Sequence, residues 1–271
     1  MLQTVGKITD ESFFQSFWTV IVDECHHIPA KTFREAIGKF QTFYLYGFTA
    51  TPKRKHNDEK LIYAYLGPCI SEVTMEEKGE VNNQIIIRET QLSVPFDYKE
   101  DHYETLSKML IFDTTRNQQI VDDLLREIHQ QKKILVLTER KEHIQVLQLY
   151  LKGHWEIVTL SGEDSQSARE RKIKRIQSGE FQVFIATGQL LGEGRDIANL
   201  DCLFLVYPFS FEGKLVQYLG RLSRNQNAKV IYDYRDGKVV YFDKLFKKRM
   251  AYYRKLQGKN YQIVQGQMGL F

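Results

Sequence analysis

Apolar residues along this chain follow two different periods. The short aliphatic run Val20-Ile21-Val22 reads as a strand covered on both faces and Ile134-Leu135-Val136-Leu137 as a buried strand, and 43–48, 156–160, 182–186, 203–207 and 230–234 read as further strands. Between them apolar positions recur every three or four residues. Phe33, Ile37 and Phe40 predict a helix over 30–40; Ile120, Leu124, Leu125 and Ile128 one over 115–130; Ile144, Leu147 and Leu151 one over 139–152. Further helices are expected at 61–66, stopped by Gly67-Pro68, and at 98–109, 165–178, 215–222 and 244–256. Residues 69–73 read as a strand, and 85–94 as an extended segment closed by Pro95. Strands alternating with helices at this pitch predict an α/β chain of parallel sheets with right-handed crossovers. The expected division is a first domain over 1–84, a linker over 85–113, a second α/β domain over 114–236 and a helical tail over 237–271.

Composition narrows the class. With 271 residues, 42% hydrophobic, 17 Phe and 15 Tyr, the chain can fill one large or two modest cores. A net charge of +4, spread along the chain, permits a polyanionic partner without demanding one. The three cysteines, Cys25, Cys69 and Cys202, are far apart and odd in number, which predicts free thiols in a reducing cytoplasm. No apolar run approaches the ~18 residues of a membrane span, and the N-terminus lacks the apolar core of a signal peptide.

The candidate chemistry lies where strands end. Val20-Ile21-Val22 runs into Asp23-Glu24-Cys25-His26-His27. Open α/β sheets bind ligands just past the C-terminal ends of their strands, and hard carboxylate oxygens there suit Mg²⁺. A strand closing in a solvated acidic turn has the same pattern. Strand 43–48 ends in Gly47-Phe48-Thr49-Ala50-Thr51-Pro52, two small hydroxyls in a proline-closed turn, followed by the basic stretch 53–56, which reads as solvated. The loop from Thr187 to Asp196 is glycine-rich with an acid, a composition that can hold phosphate or ribose. In Gln217-Tyr-Leu-Gly220-Arg221-Leu-Ser-Arg224 the two arginines are three apart and share a helical face, where planar guanidinium forks suit phosphate oxygens or form an ordinary wet surface. Asp233, Asp236 and Lys238 have a spacing seen at metal-dependent nuclease sites, but Asp236-Gly237 between β-prone runs reads first as a hairpin turn. No second ligand cluster accompanies His26, so no structural zinc is expected. The phosphate-cradling pattern G-x-x-x-x-G-K-[ST] occurs nowhere in the sequence.

Taken in order, these strings resemble superfamily 2 helicases. Asp23-Glu24-Cys25-His26 resembles the DExH box, and DECHHIPA with GFTATPKR resembles the branch related to XPB and to bacterial and phage DEAD/DEAH-type helicases. Thr49-Ala50-Thr51 is similar to the TAT motif, Leu137-Thr138-Glu139-Arg140 to motif IV, the 187–196 loop to motif V and the 217–224 string to motif VI, commonly Q-R-x-G-R-x-x-R, with Tyr218 where the family often has arginine. The resemblance implies two RecA-like parallel-sheet domains, the first incomplete at its N-terminus, that clamp ATP and Mg²⁺. Asp23 would hold Mg²⁺ through water, Glu24 would orient or deprotonate the attacking water, and Arg221 and Arg224 would stabilise the transferring phosphoryl group. Gly194, Asp196 and Gln217 would face the nucleotide. His26, Thr49 and Thr51 would couple it to the nucleic-acid track, and Thr138, Arg140, Thr187 and Gly188 would touch that track. His27 reads as a packing residue.

The expected partners are nucleic acid, DNA rather than RNA, and a preceding helicase segment carrying the phosphate loop. On this reading the chain is the C-terminal portion of a motor and by itself hydrolyses ATP very poorly. Two alternatives stay open: a nucleic-acid or partner-binding module without ATPase activity, and a motor subunit of a restriction or defence system.

Overall fold

The computed structural model describes residues 2–49, 59–72, 83–96, 103–153, 155–188, 197, 200–209, 215, 216, 218, 219, 228–257 and 261–265. The chain divides into two compact units, Met1–Glu76 and Glu77–Phe271.

In the first unit, short helices α1 (Leu2–Val5) and α2 (Glu11–Gln15) precede strand β1 (Thr19–Val22), a 3₁₀ turn (Cys25–His27), α3 (Lys31–Ile37), β2 (Tyr44–Gly47) and α4 (Glu59–Leu66). Asp10 starts α2 by accepting the Ser12 amide at 3.0 Å. β1 and β2 pair in parallel, Thr19 opposite Tyr44 through Val22 opposite Gly47. Because side chains alternate across a strand, Val20, Val22 and Leu45 turn to one face. There they meet Cys25, Ile28, Ile37, Ile62 and Leu66 in the unit's core.

The opposite face departs from the expectation of a strand covered on both sides. Ile21 is 63% exposed, and Tyr44, Tyr46 and Phe48 are exposed with it. Only two strands and one covering layer are present among the described residues. Residues 69–72, expected as a strand, lie outside both sheets, with Ile70 80% exposed.

Gly47 closes β2 where α4 and the 3₁₀ turn converge. A Cβ there would overlap Leu66 Cδ1 and lie 2.9 Å from Cys25 Sγ. Gly47→Ala therefore overpacks this junction, and we expect a loss of about 1–3 kcal/mol in urea unfolding of the first unit.

The second unit is built on seven parallel strands in the order β5-β6-β4-β7-β8-β3-β9. In chain order its elements are β3 (Asn83–Glu89), α5 (Tyr103–Phe112), α6 (Thr114–His129), β4 (Ile134–Thr138), α7 (Lys141–Tyr150), β5 (Ile157–Leu160), α8 (Gln166–Ser178), β6 (Val183–Thr187), β7 (Cys202–Leu205), β8 (Val230–Arg235), α9 (Val240–Leu256) and β9 (Tyr261–Gln265). Alternation divides the interior in two. Leu135, Leu137, Leu203 and Leu205 pack with Ile176 of α8 and with Phe246 and Tyr253 of α9. Ile134, Val136, Cys202 and Phe204 pack with Ile120, Leu124 and Ile128 of α6 and with Ile144 and Leu147 of α7. Both faces are thus covered, as a parallel sheet requires.

Three sequence expectations are revised here. Residues 85–113, expected as a linker, carry β3, which lies between β8 and β9 in the sheet. Its Ile85 and Ile87 are buried, so the isoleucine run is an interior strand rather than a connector. The 237–271 tail contributes both α9, packed on the sheet, and the strand β9, which pairs with β3. Asp236-Gly237 likewise forms no hairpin: β8 runs parallel to both neighbours, and the turn leads into α9.

The charges of that turn are interior. The buried Asp236 takes Arg116 Nε at 2.8 Å and the Thr90 hydroxyl at 2.6 Å. Asp233 takes Arg249 through Nε and Nη2, both at 2.8 Å, and the Tyr253 hydroxyl at 2.7 Å. Both aspartates are engaged structurally, as a nuclease pair would not be. Cys25, Cys69 and Cys202 are free thiols.

Candidate functional site

Each unit gathers polar groups at the C-terminal ends of its strands. In the first, Asp23 follows β1 as an exposed carboxylate whose Oδ1 accepts the Glu24 amide at 2.8 Å. Glu24 then adopts φ 50° and ψ 45°, the left-handed region that L-residues avoid. That bend starts the 3₁₀ turn and is tied to β2: the Cys25 amide donates to the Phe48 carbonyl at 2.9 Å, and the Phe48 amide to the Val22 carbonyl at 2.9 Å. It brings the buried His26 between the two strand ends. Its Nδ1 lies 3.0 Å from Glu24 Oε2 and 3.0 Å from Thr49 Oγ1. A bare nitrogen would turn its lone pair on the nearby carboxylate, so the arrangement favours a proton on Nδ1, directed to Thr49 Oγ1 with Glu24 Oε2 beside it as an ion-pair contact. His27 packs tilted against His26 and Phe33.

In the second unit, parallel register sets Thr138 of β4 beside Thr187 of β6. Thr138 is buried, and its hydroxyl meets His143 Nδ1 at 3.1 Å and the Arg140 amide at 3.4 Å. Burial drives the His143 pKa down to about 3, with Arg116 adding to the effect, so His143 is neutral at physiological pH. Arg140, two residues on, is the charged group that reaches solvent here. Nη2 pairs with Glu104 of α5 at 2.7 Å, and the guanidinium lies 5.5 Å from the Tyr103 ring centre. Gly188, just past β6, lies under Tyr218, whose hydroxyl donates to Glu139 Oε1 at 3.4 Å. Burial, then the Glu139 charge, push the Tyr218 phenol well above its ordinary range, so it remains a donor. Sequence reasoning missed Glu104, Tyr103 and the Glu139–Tyr218 pair. Glu104 is 36 residues from Arg140, and Tyr218 is 79 from Glu139, beyond any local pattern.

The structure thus brings Asp23, Glu24, His26 and Thr49 together in one unit and Thr138, Arg140, Thr187 and Gly188 in the other. Thr51, Gly194, Asp196, Gln217, Arg221 and Arg224 lie outside the described residues. Among the described residues no group of three or more His, Cys, Asp or Glu could hold a metal ion, and no helix is long and apolar enough to cross a membrane. Mg²⁺ needs no such cluster. It takes one or two carboxylates and retains water, and the exposed oxygens of Asp23 fit that demand. An open cavity of about 450 Å³, lined by Lys133, Trp155, Phe181 and Gln182 among others, opens at the opposite, N-terminal ends of β4 and β6.

Comparison with known proteins agrees with this layout. Residues 116–226 match the helicase conserved C-terminal domain, and residues 2–54 match the family described as type III restriction enzyme, res subunit. The chain is 24% identical to a putative ATP-dependent RNA helicase, L396, of Acanthamoeba polyphaga mimivirus, over 94% of this chain and 50% of that protein. It is 22% identical to the DNA 3'-5' translocase XPB2 of Sulfurisphaera tokodaii, over 82% of this chain and 59% of that one. Saccharomyces cerevisiae Dbp5, solved with RNA and ADP BeF3, superposes with a TM-score of 0.60 at 16% identity, over 93% of this chain and 60% of that one. The chain therefore spans about half the length of the curated relatives it matches. With a RecA-like α/β fold and family matches in both units, the chain belongs to the superfamily 2 helicases.

Proposed function

We propose that this chain is the catalytic portion of an ATP-dependent motor of the XPB-related branch that moves along nucleic acid, DNA rather than RNA. The observation that carries the reading is His26, whose Nδ1 joins the Glu24 carboxylate to the Thr49 hydroxyl. A carboxylate that orients a water at a phosphate is thereby wired to the neighbouring turn, so the state of one can reach the other.

In this reading Asp23 holds Mg²⁺ through water, which offsets phosphate charge, and Glu24 orients or deprotonates the attacking water. Arg221 and Arg224 stabilise the transferring phosphoryl group, and Gly194, Asp196 and Gln217 face the nucleotide. Thr49 and Thr51 relay through His26 to the track. Arg140, Thr187 and Gly188 meet the nucleic-acid backbone, with the buried Thr138 supporting the Arg140 amide from beneath. Such contacts are electrostatic and tolerant of sequence. The three free thiols suit a cytoplasmic setting.

The sequence contains no phosphate-cradling glycine loop with its lysine. A partner polypeptide segment that carries one completes the site, and without it ATP turnover by this chain is very slow. His26→Ala tests the wiring. We expect single-stranded oligonucleotide to bind as before, while its stimulation of phosphate release falls about fivefold or more, the scale of a site-to-site coupling. Stimulation that survives in the variant contradicts the reading. The match of residues 2–54 to a restriction-enzyme subunit supports a second reading, a motor of a restriction or defence system. Stimulation by duplex DNA and not by single strands would distinguish it.

A further inference from the structure

Three segments of the second unit meet at one contact that neither family resemblance nor local pattern assigns. Glu139 stands between Thr138, at the end of β4, and Arg140. Gly188 directly follows β6. Tyr218 is helical, as are Leu215, Val216 and Leu219, and stands three positions before Arg221 in the sequence. The Tyr218 ring is buried and fixed edge-on against Phe209, with ring centres 5.6 Å apart. Phe209 is itself held, because the buried Arg249 of α9 donates to its carbonyl. From this anchored ring the hydroxyl reaches Glu139 Oε1. It can do so only because position 188 has no side chain: a Cβ there would overlap the Tyr218 hydroxyl and lie 2.9 Å from Glu139 Oε1.

The contact has a mechanical consequence. Arg140 has a salt-bridge partner, Glu104, whose side chain is 68% exposed. A phosphate that displaces this partner pulls on the Arg140 backbone, and Glu139 is the adjacent residue. A buried phenol bonded to that residue has no water to exchange with, so it follows its acceptor.

We propose that Tyr218, Glu139 and Gly188 form a transmission joint, in which Tyr218 acts as a positioning residue that passes nucleic-acid engagement at Arg140 to the segment carrying Arg221 and Arg224. This rests on the functional reading above, in which Arg140 meets nucleic acid and the two arginines meet the nucleotide. It adds a route between them within the second unit, and explains why tyrosine stands where the family often has arginine.

The test uses the full chain and a fluorescein-labelled 20-nucleotide single-stranded DNA. Anisotropy gives its affinity, and hydrogen exchange reads the amides of Val216, Tyr218 and Leu219 with and without it. In the unmodified chain the DNA slows exchange at these amides about fivefold or more. In Tyr218→Phe and in Glu139→Ala, which break the same bond from opposite sides, we expect affinity within about twofold of the unmodified chain and the slowing lost. Gly188→Ala is expected to disturb the joint, and adding Tyr218→Phe to relieve much of that disturbance by removing the hydroxyl the new methyl meets. Undiminished slowing in both single variants overturns the proposal alone. Failure of the unmodified chain to bind DNA overturns the functional reading, and the proposal with it.

Discussion

Arg249→Met lowers the stability of the second unit by about 3–5 kcal/mol, because it leaves a buried carboxylate without its counter-charge. Asp233 is fully buried and takes two hydrogen bonds from the Arg249 guanidinium and one from Tyr253. The same guanidinium lies 5.0 Å from the Phe209 ring centre and 5.5 Å from that of Phe246, so methionine can fill much of the space but cannot neutralise Asp233. A domain's whole stability is about 5–15 kcal/mol, so the loss is a large share of it. Urea unfolding checks this, with Lys31→Ala as the control. The Lys31–Glu35 pair is exposed on both sides, at 80% and 61%, and its removal leaves the midpoint in place. The double variant Arg249→Met with Asp233→Leu recovers stability relative to Arg249→Met alone, since no charge is then left unpaired. A loss under about 1 kcal/mol for the single variant would show that solvent reaches this pair.

These interior charges are also where the sequence was least legible. Arg116, Asp123, Asp233 and Arg249 are all buried, and no local pattern marks a charged residue as interior. Their partners lie far along the chain: Arg116 meets Asp236 at a separation of 120 residues and Arg88 meets Asp123 at 35. The strands β4, β6, β7 and β8 were legible because each is a short β-prone apolar run set between helical patterns. β9 was not, since Tyr-Gln-Ile-Val-Gln resembles a polar tail until β3 is present beside it. β3 in turn looked like a connector because its sheet neighbour β8 follows it by more than a hundred residues. At the site, the position of Asp23, Glu24 and Thr49 just past the ends of β1 and β2 was legible from residue type and order. The left-handed turn at Glu24 and the shared His26 nitrogen depend on backbone geometry that residue type alone does not specify.

Glu24→Gln removes the oligonucleotide-stimulated part of phosphate release while leaving oligonucleotide affinity unchanged. The substitution keeps the side chain's shape and its reach to His26, and removes only the charge and basicity. A positioned acid or base contributes about 10²–10⁴-fold, so the stimulated rate falls to background in a phosphate-release assay. The backbone at this residue supplies a second readout. A non-glycine residue in the left-handed region carries about 1–2 kcal/mol of strain. Glu24→Gly is therefore expected to make the first unit more stable by about 1 kcal/mol and to lose the same activity. Higher stability with lower turnover identifies strain retained for function. Equal or lower stability would mean that contacts of the glutamate side chain hold the turn.

The most direct test of the proposed function is whether Glu24 and Arg221 act in one reaction. Oligonucleotide-stimulated phosphate release at millimolar Mg²⁺ and ATP is measured for the unmodified chain, Glu24→Gln, Arg221→Ala and the double variant. Residues that act as a unit are non-additive, so the account predicts a slow, oligonucleotide-dependent rate that either single change removes, with no further loss in the double variant. A rate that ignores both substitutions, or losses that multiply independently, would contradict it.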